Sequence, residues 1–115
     1  MIMPNTQGAV SYIEMGSGDA EKTVGFFSSL FHWPFNPTSA GGGWFDAPGG
    51  KIGVHGGDPD GGMTPYFRVA DIEAAAEQVR KLGGEADVIA DEAGFGRFCN
   101  CRDPQGMRFG LHQLT

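Results

Sequence analysis

The sequence predicts an α+β fold, in which tandem βαβββ modules form a cupped mixed sheet with helices on its outer face. Three observations predict it. Asp46-Ala47-Pro48-Gly49-Gly50-Lys51-Ile52-Gly53-Val54-His55 aligns without a gap on Asp103-Pro104-Gln105-Gly106-Met107-Arg108-Phe109-Gly110-Leu111-His112, keeping Asp, Gly, Lys or Arg, apolar, Gly, apolar and His in step. Upstream, Val10 to Met15 lies on Thr64 to Val69, which sets Tyr12 on Tyr66 and Glu14 on Arg68. Twenty glycines in 115 residues favour turn-rich β structure over a helix bundle. A chain of this length is one domain's worth. The repeat therefore divides a single domain, residues 1–115, into a first module at 8–57 and a second at 63–114.

Each element has its own signal. Residues 9–15 alternate as a strand does. Asp19 caps a helix whose apolar stripe is Thr23, Phe26, Phe27, Leu30 and Phe31, and which stops before Pro34. Short strands follow at Phe35–Thr38, Gly43–Asp46 and Lys51–His55, broken by Gly and Pro. Asp58-Pro59-Asp60-Gly61-Gly62 is a polar turn cluster that links the modules. Thr64–Val69 reopens the pattern. Asp71 caps a helix with an inner face of Ile72, Ala75, Ala76, Val79 and Leu82, ended by Gly83-Gly84. Strands at Ala86–Ala90, Arg97–Cys101 and Met107–His112 complete the second copy.

Composition narrows the function. Apolar content of 40% suffices for a core, and 8 basic against 14 acidic residues give a net charge of −6. An acidic surface disfavours nucleic acid, whose phosphates need cations. No run of 18 apolar residues occurs, so no membrane span is expected. No basic region followed by an apolar stretch opens the chain, which points to a cytoplasmic protein. Cys99 and Cys101 point the same way on one strand. They are badly placed for a disulfide with each other and read as small buried side chains in a reducing compartment. Gly41-Gly42-Gly43 lacks the strand-loop-helix context of a phosphate loop. Asp58 and Asp60 lack the downstream Glu of a calcium loop.

Strand alternation sorts the side chains. Ile13, Met15, Ile52, Val54, Phe67, Val69, Phe109 and Leu111 form the apolar set, which should face the helices. Tyr12, Glu14, Lys51, Gly53, His55, Thr64, Tyr66, Arg68, Arg108, Gly110 and His112 form the other set. Its two tyrosines, two histidines and opposed charges suggest the lining of a half-polar cavity between the modules.

The tandem βαβββ pattern resembles the vicinal oxygen chelate superfamily, which includes glyoxalase I, bleomycin- and fosfomycin-resistance proteins and extradiol dioxygenases. Asp19-Ala20-Glu21-Lys22-Thr23-Val24-Gly25-Phe26-Phe27 looks like the family's first helix start, and Phe31-His32-Trp33 like the Phe-Gly-Trp that often ends that helix. Val69-Ala70-Asp71-Ile72-Glu73-Ala74-Ala75, Leu82-Gly83-Gly84 and Gly96-Arg97-Phe98 continue the match. Asp103-Pro104-Gln105-Gly106 looks like the family's Asp-Pro-x-Gly turn into the last strand. The resemblance covers residues 9–113, and the nearest look is to small glyoxalase-like proteins of unassigned activity.

The resemblance implies a divalent metal held by four side chains from the first and last strand of each module, acting as a Lewis acid. Carried over one by one, the ligand positions fall on Val10 (or Tyr12 after a two-residue slip), Gly53, Thr64 and Gly110. None is a plausible strong ligand, so no metal cofactor is expected. A displaced set of His55, His112 and Glu14 is the alternative.

Glu14 and Arg68 are repeat partners of opposite charge, which suggests an ion pair in the cavity wall. Arg68 with Lys51 or Arg108 would instead hold a ligand carboxylate or phosphate. Tyr12 and Tyr66 suit stacking on a flat ligand. Trp33, Trp44, Phe35 and Phe45 read as packing near the first module's loops. The expected ligand-binding set is Tyr12, Glu14, Lys51, His55, Tyr66, Arg68, Arg108 and His112. The leading reading is a metal-free binder of a small, anionic molecule, acting as a homodimer that covers exposed sheet edges. A metal-dependent glyoxalase-like lyase or dioxygenase with a displaced site stays open, as does an antibiotic-sequestering protein. Whether the chain is an enzyme is not fixed by the sequence.

Overall fold

A computed structural model of the chain describes residues 7–38 and 41–114. The leader reading falls on residues 1–6, which lie outside that range. The chain divides into two compact units, Tyr12–Thr64 and a second one made of residues up to Ser11 together with those from Pro65 onward. The divisions fall inside two strands, β1 (Val10–Gly16) and β5 (Gly62–Arg68).

In the unit Tyr12–Thr64, β1 leads to helix α1 (Ala20–Phe31), then β2 (Phe35–Pro37), β3 (Gly43–Ala47) and β4 (Gly50–His55). β2 and β3 pair antiparallel, as do β3 and β4, and β4 lies parallel to β1 with Glu14 opposite Gly53. Asp19 is the N-cap of α1, its carboxylate accepting from the Lys22 backbone N–H, which satisfies one donor that the helix start leaves open. The helix ends at His32, which takes a left-handed conformation at φ 58°. That conformation favours glycine, so His32 occupies a backbone site for which the similar Phe-Gly-Trp pattern is better suited. The core here is Met15, Ala20, Phe45 and Val54, backed by Val24, Phe27, Trp33, Phe35 and Ile52.

In the other unit, β5 leads to α2 (Ile72–Lys81), β6 (Glu85–Ala86), β7 (Ala90–Glu92), β8 (Gly96–Arg102) and β9 (Arg108–Gln113). β9 lies parallel to β5 and antiparallel to β8, and both β6 and β7 pair with β8. Asp71 caps α2 by accepting from Ala74 N–H, and Gln113 Oε1 accepts from Ile72 N–H at 2.7 Å. The core is Val69, Ile72, Ala76, Cys99, Cys101 and Leu111. Burial, with the neighbouring Cys99, pushes the Cys101 thiol up to about 12. Both cysteines are free and buried in this core.

The repeated Gly-before-strand position has a backbone cause. Gly49 and Gly106 both hold positive φ, 93° and 84°, in the turns entering β4 and β9. In the second turn Asp103 Oδ1 accepts from both Gln105 and Met107 N–H at 2.8 Å.

Three expectations are corrected. The single strand Ala86–Ala90 is two strands, because Asp87–Ile89 face only Cys99 and Asn100 across the ladder. One residue is extra, a bulge, and Val88 is exposed there. The α1 stripe is only partly inward. Phe27 packs on the core, while Phe26, Leu30 and Phe31 remain at least half exposed. Leu82 follows the last turn of α2 and is exposed, outside the inner face.

Burial separates these positions energetically. Ile72 is 0% exposed and Leu30 53%. Ile72→Ala should cost about 2–5 kcal/mol of unfolding free energy by cavity formation, whereas Leu30→Ala should cost less than about 1 kcal/mol. Urea unfolding followed by circular dichroism checks both.

Candidate functional site

The positions where the family pattern calls for metal ligands carry no side chain at Gly53 and Gly110, and the structure shows what fills the space instead. A β-carbon built on Gly53 would overlap the Tyr12 hydroxyl and the Glu14 carboxylate. One on Gly110 would overlap the ring of Tyr66. Tyr12 and Tyr66 are repeat partners, as are the two glycines, so the same substitution occurs once in each unit. Each tyrosine lies across a strand because that strand offers no β-carbon to push it away.

In the unit Tyr12–Thr64 the tyrosine starts a polar chain. Tyr12 Oη donates to Glu14 Oε1 at 2.6 Å. The other oxygen of Glu14 lies 2.6 Å from His55 Nδ1, and His55 Nε2 lies 3.3 Å from Asp58 Oδ2. Carboxylates only accept, so satisfying both contacts requires the imidazole to carry a proton on each nitrogen. The His55 pKa is raised accordingly, chiefly by the hydrogen bond to Glu14, against burial and with help from Asp58. The side chain is 49% exposed, so solvent screens the pair. The loop after β4 is fastened by the same group of residues. Asp58 N–H donates to Ser17 C=O, and Asp58 Oδ1 accepts from Gly61 N–H. Glu14 thus has His55 as an ionic partner within this unit. Lys51 is exposed on β4, with its ammonium 5.2 Å from the centre of the Trp44 ring, a cation–π contact.

In the other unit Tyr66 Oη donates to Asn100 Oδ1, and its ring meets Phe95 and Phe98 edge-on. His112 is buried at 4% exposure. Its Nε2 lies 2.6 Å from the Phe95 carbonyl, and its ring stacks on the Phe95 ring at 3.9 Å between centres. A carbonyl only accepts, so Nε2 carries the proton. Nδ1 of the neutral ring is then the acceptor for the hydroxyl of Ser11, with which it forms a short contact. Ser11 Oγ accepts in turn from Arg68 Nη2 at 2.9 Å and from Nε at 3.3 Å. The His112 pKa is lowered, mainly by burial and further by Arg68, with the Phe95 carbonyl opposing. Arg108 stands on β9 opposite Arg102 of β8.

Within each unit the structure brings expected residues together. Tyr12, Glu14 and His55 form one chain, which Asp58 extends. Arg68 and His112 meet through Ser11. Tyr66 joins Asn100 and the phenylalanines. Ser11, Asp58, Phe95 and Asn100 lie outside the expected set, because single polar residues on strands and residues at turns carry no distinctive signal.

The family metal does not fit these residues. Gly53 and Gly110 have no donor, and aromatic and carboxylate groups occupy their space. Val10 offers no donor either. His112 is a poor member of a displaced set, since both its nitrogens are engaged. Among the described residues, no group of three or more His, Cys, Asp or Glu side chains is placed to hold a metal ion.

With strand order, helix placement and glycine positions established, the fold is that of the vicinal oxygen chelate superfamily, also called the glyoxalase/bleomycin resistance/dioxygenase fold. Methylmalonyl-CoA epimerase from Mycobacterium tuberculosis matches with a TM-score of 0.72 at 13% identity, over 100% of this chain and 93% of that one. A variant of methylmalonyl-CoA epimerase from Streptomyces coelicolor, in complex with 2-nitronate-propionyl-CoA, matches with a TM-score of 0.65 at 17% identity, over 96% and 99%. A trihydroxybiphenyl dioxygenase from Sphingomonas wittichii matches at 0.71 and 19% identity, over 96% of this chain and 42% of that one. No protein-family model matches the sequence, and no curated protein matches it.

Two predictions follow from the local geometry. Gly110→Ala must displace a buried aromatic ring and should cost about 1–3 kcal/mol. Gly53→Ala meets the movable ends of Tyr12 and Glu14 and should cost less. Chemical denaturation of both variants ranks them.

The two histidines give opposite pH limbs. His55 holds its proton more tightly folded than unfolded. Its stabilising effect is full below the unfolded imidazole value of about 6.5 and is lost as pH rises through its raised pKa. His112 is held neutral. It destabilises the fold as pH falls from about 6.5 toward its lowered pKa. The stability gap between wild type and His55→Gln should therefore narrow on going from about pH 6 to alkaline pH, read as urea midpoints across the range. A gap that does not change with pH would contradict the double-carboxylate clamp.

Proposed function

We propose that this chain is a metal-independent binder of a small anionic molecule, built on the vicinal oxygen chelate fold. The observation that carries the reading is the occupation of the Gly53 and Gly110 positions by Tyr12 with Glu14 and by Tyr66. Side chains fill the space where a chelating residue would project. What is left for recognition is aromatic surface and cationic groups, which suit a planar or phosphate-bearing ligand better than a metal chelate.

Arg68 is the anchoring cation. Its guanidinium is partly buried and oriented by Ser11, so little side-chain entropy remains to be lost on binding. Tyr66, Phe95 and Phe98 form an aromatic cluster in the same unit. Arg108 adds positive charge on β9. The net charge of −6 opposes an anion at long range, but this repulsion is screened over about 8–10 Å of salt solution, and the local cations decide. The Streptomyces epimerase is in complex with a coenzyme A derivative, and such molecules carry phosphates. That makes nucleotide-bearing acyl carriers the first ligand class to try.

The reading extends to a cytoplasmic homodimer. The free thiols of Cys99 and Cys101 suit a reducing compartment. The exposed Phe26, Leu30 and Phe31 of α1 give a second copy apolar surface to cover.

The test has two arms. After incubation with nickel, zinc, iron and manganese, elemental analysis should show no stoichiometric metal, and one ion per chain would overturn metal independence. In a melting-shift screen, coenzyme A derivatives and simpler phosphates should raise the Tm of wild type. Arg68→Ala should weaken that binding at least tenfold, about 1.4 kcal/mol, and an unchanged affinity would remove Arg68 from the site.

A further inference from the structure

In the proposed binding function the Ser11 hydroxyl only orients Arg68, yet it also meets a histidine nitrogen. Its proton points at His112 Nδ1, because the Phe95 carbonyl fixes the ring proton on Nε2. Its lone pairs receive two N–H groups from Arg68, at 2.9 and 3.3 Å. A base accepts the proton on one side, and a permanent cation faces the oxygen on the other. This is the arrangement that turns a weak hydroxyl nucleophile into an effective one. The base is itself oriented by a third group, here a backbone carbonyl, and ring stacking on Phe95 holds its plane. His112 is kept neutral by burial and by Arg68, so Nδ1 is ready to take a proton at neutral pH.

We propose that Ser11 is a nucleophile for acyl transfer from activated carboxylic esters, with His112 as its general base and Arg68 as the stabilising cation. In the forward step Ser11 Oγ bonds to the acyl carbon and its proton moves to His112 Nδ1. The Arg68 N–H groups that held the hydroxyl oxygen stabilise the negative charge that develops on the carbonyl oxygen. The bond from the acyl carbon to the leaving oxygen then breaks, and His112 returns its proton to that oxygen. Water attacks the acyl-serine by the same route in reverse, restoring Ser11. No metal or redox partner takes part. Arg68 would also favour esters that carry a negative charge beside the acyl group. The proposal goes beyond ligand binding and does not depend on it.

Labelling of the whole chain with a fluorophosphonate tests it. In that reaction Oγ–P forms, P–F breaks, and the serine proton passes to His112 as fluoride leaves. Peptide mapping by mass spectrometry should place a single adduct on Ser11, and Ser11→Ala, a small change in a partly buried strand, should carry none. Ser11→Cys should present a thiol alkylated by iodoacetamide about tenfold or more faster than the packed Cys99 and Cys101. Wild type that gives no adduct under conditions that label a reference serine hydrolase overturns the proposal, as does an equal adduct on Ser11→Ala. A chain that fails to label yet keeps an Arg68-dependent melting shift would sink the nucleophile and leave the binding function intact.

Discussion

The polar groups of this protein depend on two missing β-carbons. At Gly53 and Gly110 a strand lies bare, and a tyrosine from the neighbouring strand settles across it. Any larger residue would displace the tyrosine and, with it, what the tyrosine holds. Tyr12 fixes one oxygen of Glu14, which leaves the other for His55. Tyr66 reaches Asn100 on β8 and packs on Phe95, the residue that also covers His112. The hydrogen-bond networks of both units thus descend from one steric permission, granted twice by the repeat.

The two networks, though built on matched positions, have opposite electrostatic character. Glu14 and Arg68 occupy equivalent places in the repeat, and each acts on the histidine near it. Beside Glu14, His55 is half exposed and favours its proton. On the Arg68 side, His112 is buried and resists protonation. The hydrogen bond to Glu14 raises one imidazole's pKa, and burial, with a smaller push from Arg68, lowers the other's. Duplicated modules can diverge in chemistry this way with little change of backbone.

Much of the fold was legible because its signals are local. Asp19 and Asp71 announce helix starts by a side chain that must accept a backbone N–H a few residues on. Gly49 and Gly106 recur because both turns need positive φ. The bulge at Asp87–Ile89 was not legible, since an extra residue leaves the apolar pattern nearly intact. The α1 stripe was misread for another reason: periodicity tells which residues share a helix face and not how wide a core that face will find. At the site, the bare strand positions Gly53 and Gly110 could be read directly. The partners could not. Repeat symmetry suggested that Glu14 meets Arg68, and it gave no sign of the contact that Glu14 makes with His55. Ser11 shares its strand parity with the apolar Ile13 and Met15, which hid a hydroxyl that bonds Arg68 and His112.

The division of the chain also sets an order of events during synthesis. Tyr12–Thr64 is one uninterrupted stretch, and the other unit is assembled from the segments before and after it in the chain. All residues of the inner unit have emerged from the ribosome before β9 exists, so it can collapse on its own core first, as early segments generally do. Ser11 must wait for His112, 101 residues downstream, and that closure costs more chain entropy than any contact within a hairpin. The outer unit is therefore the last to become native. Until β9 arrives, Arg68 and Ser11 lack their buried imidazole, and chains halted short of it would expose the apolar face of α2 to quality control.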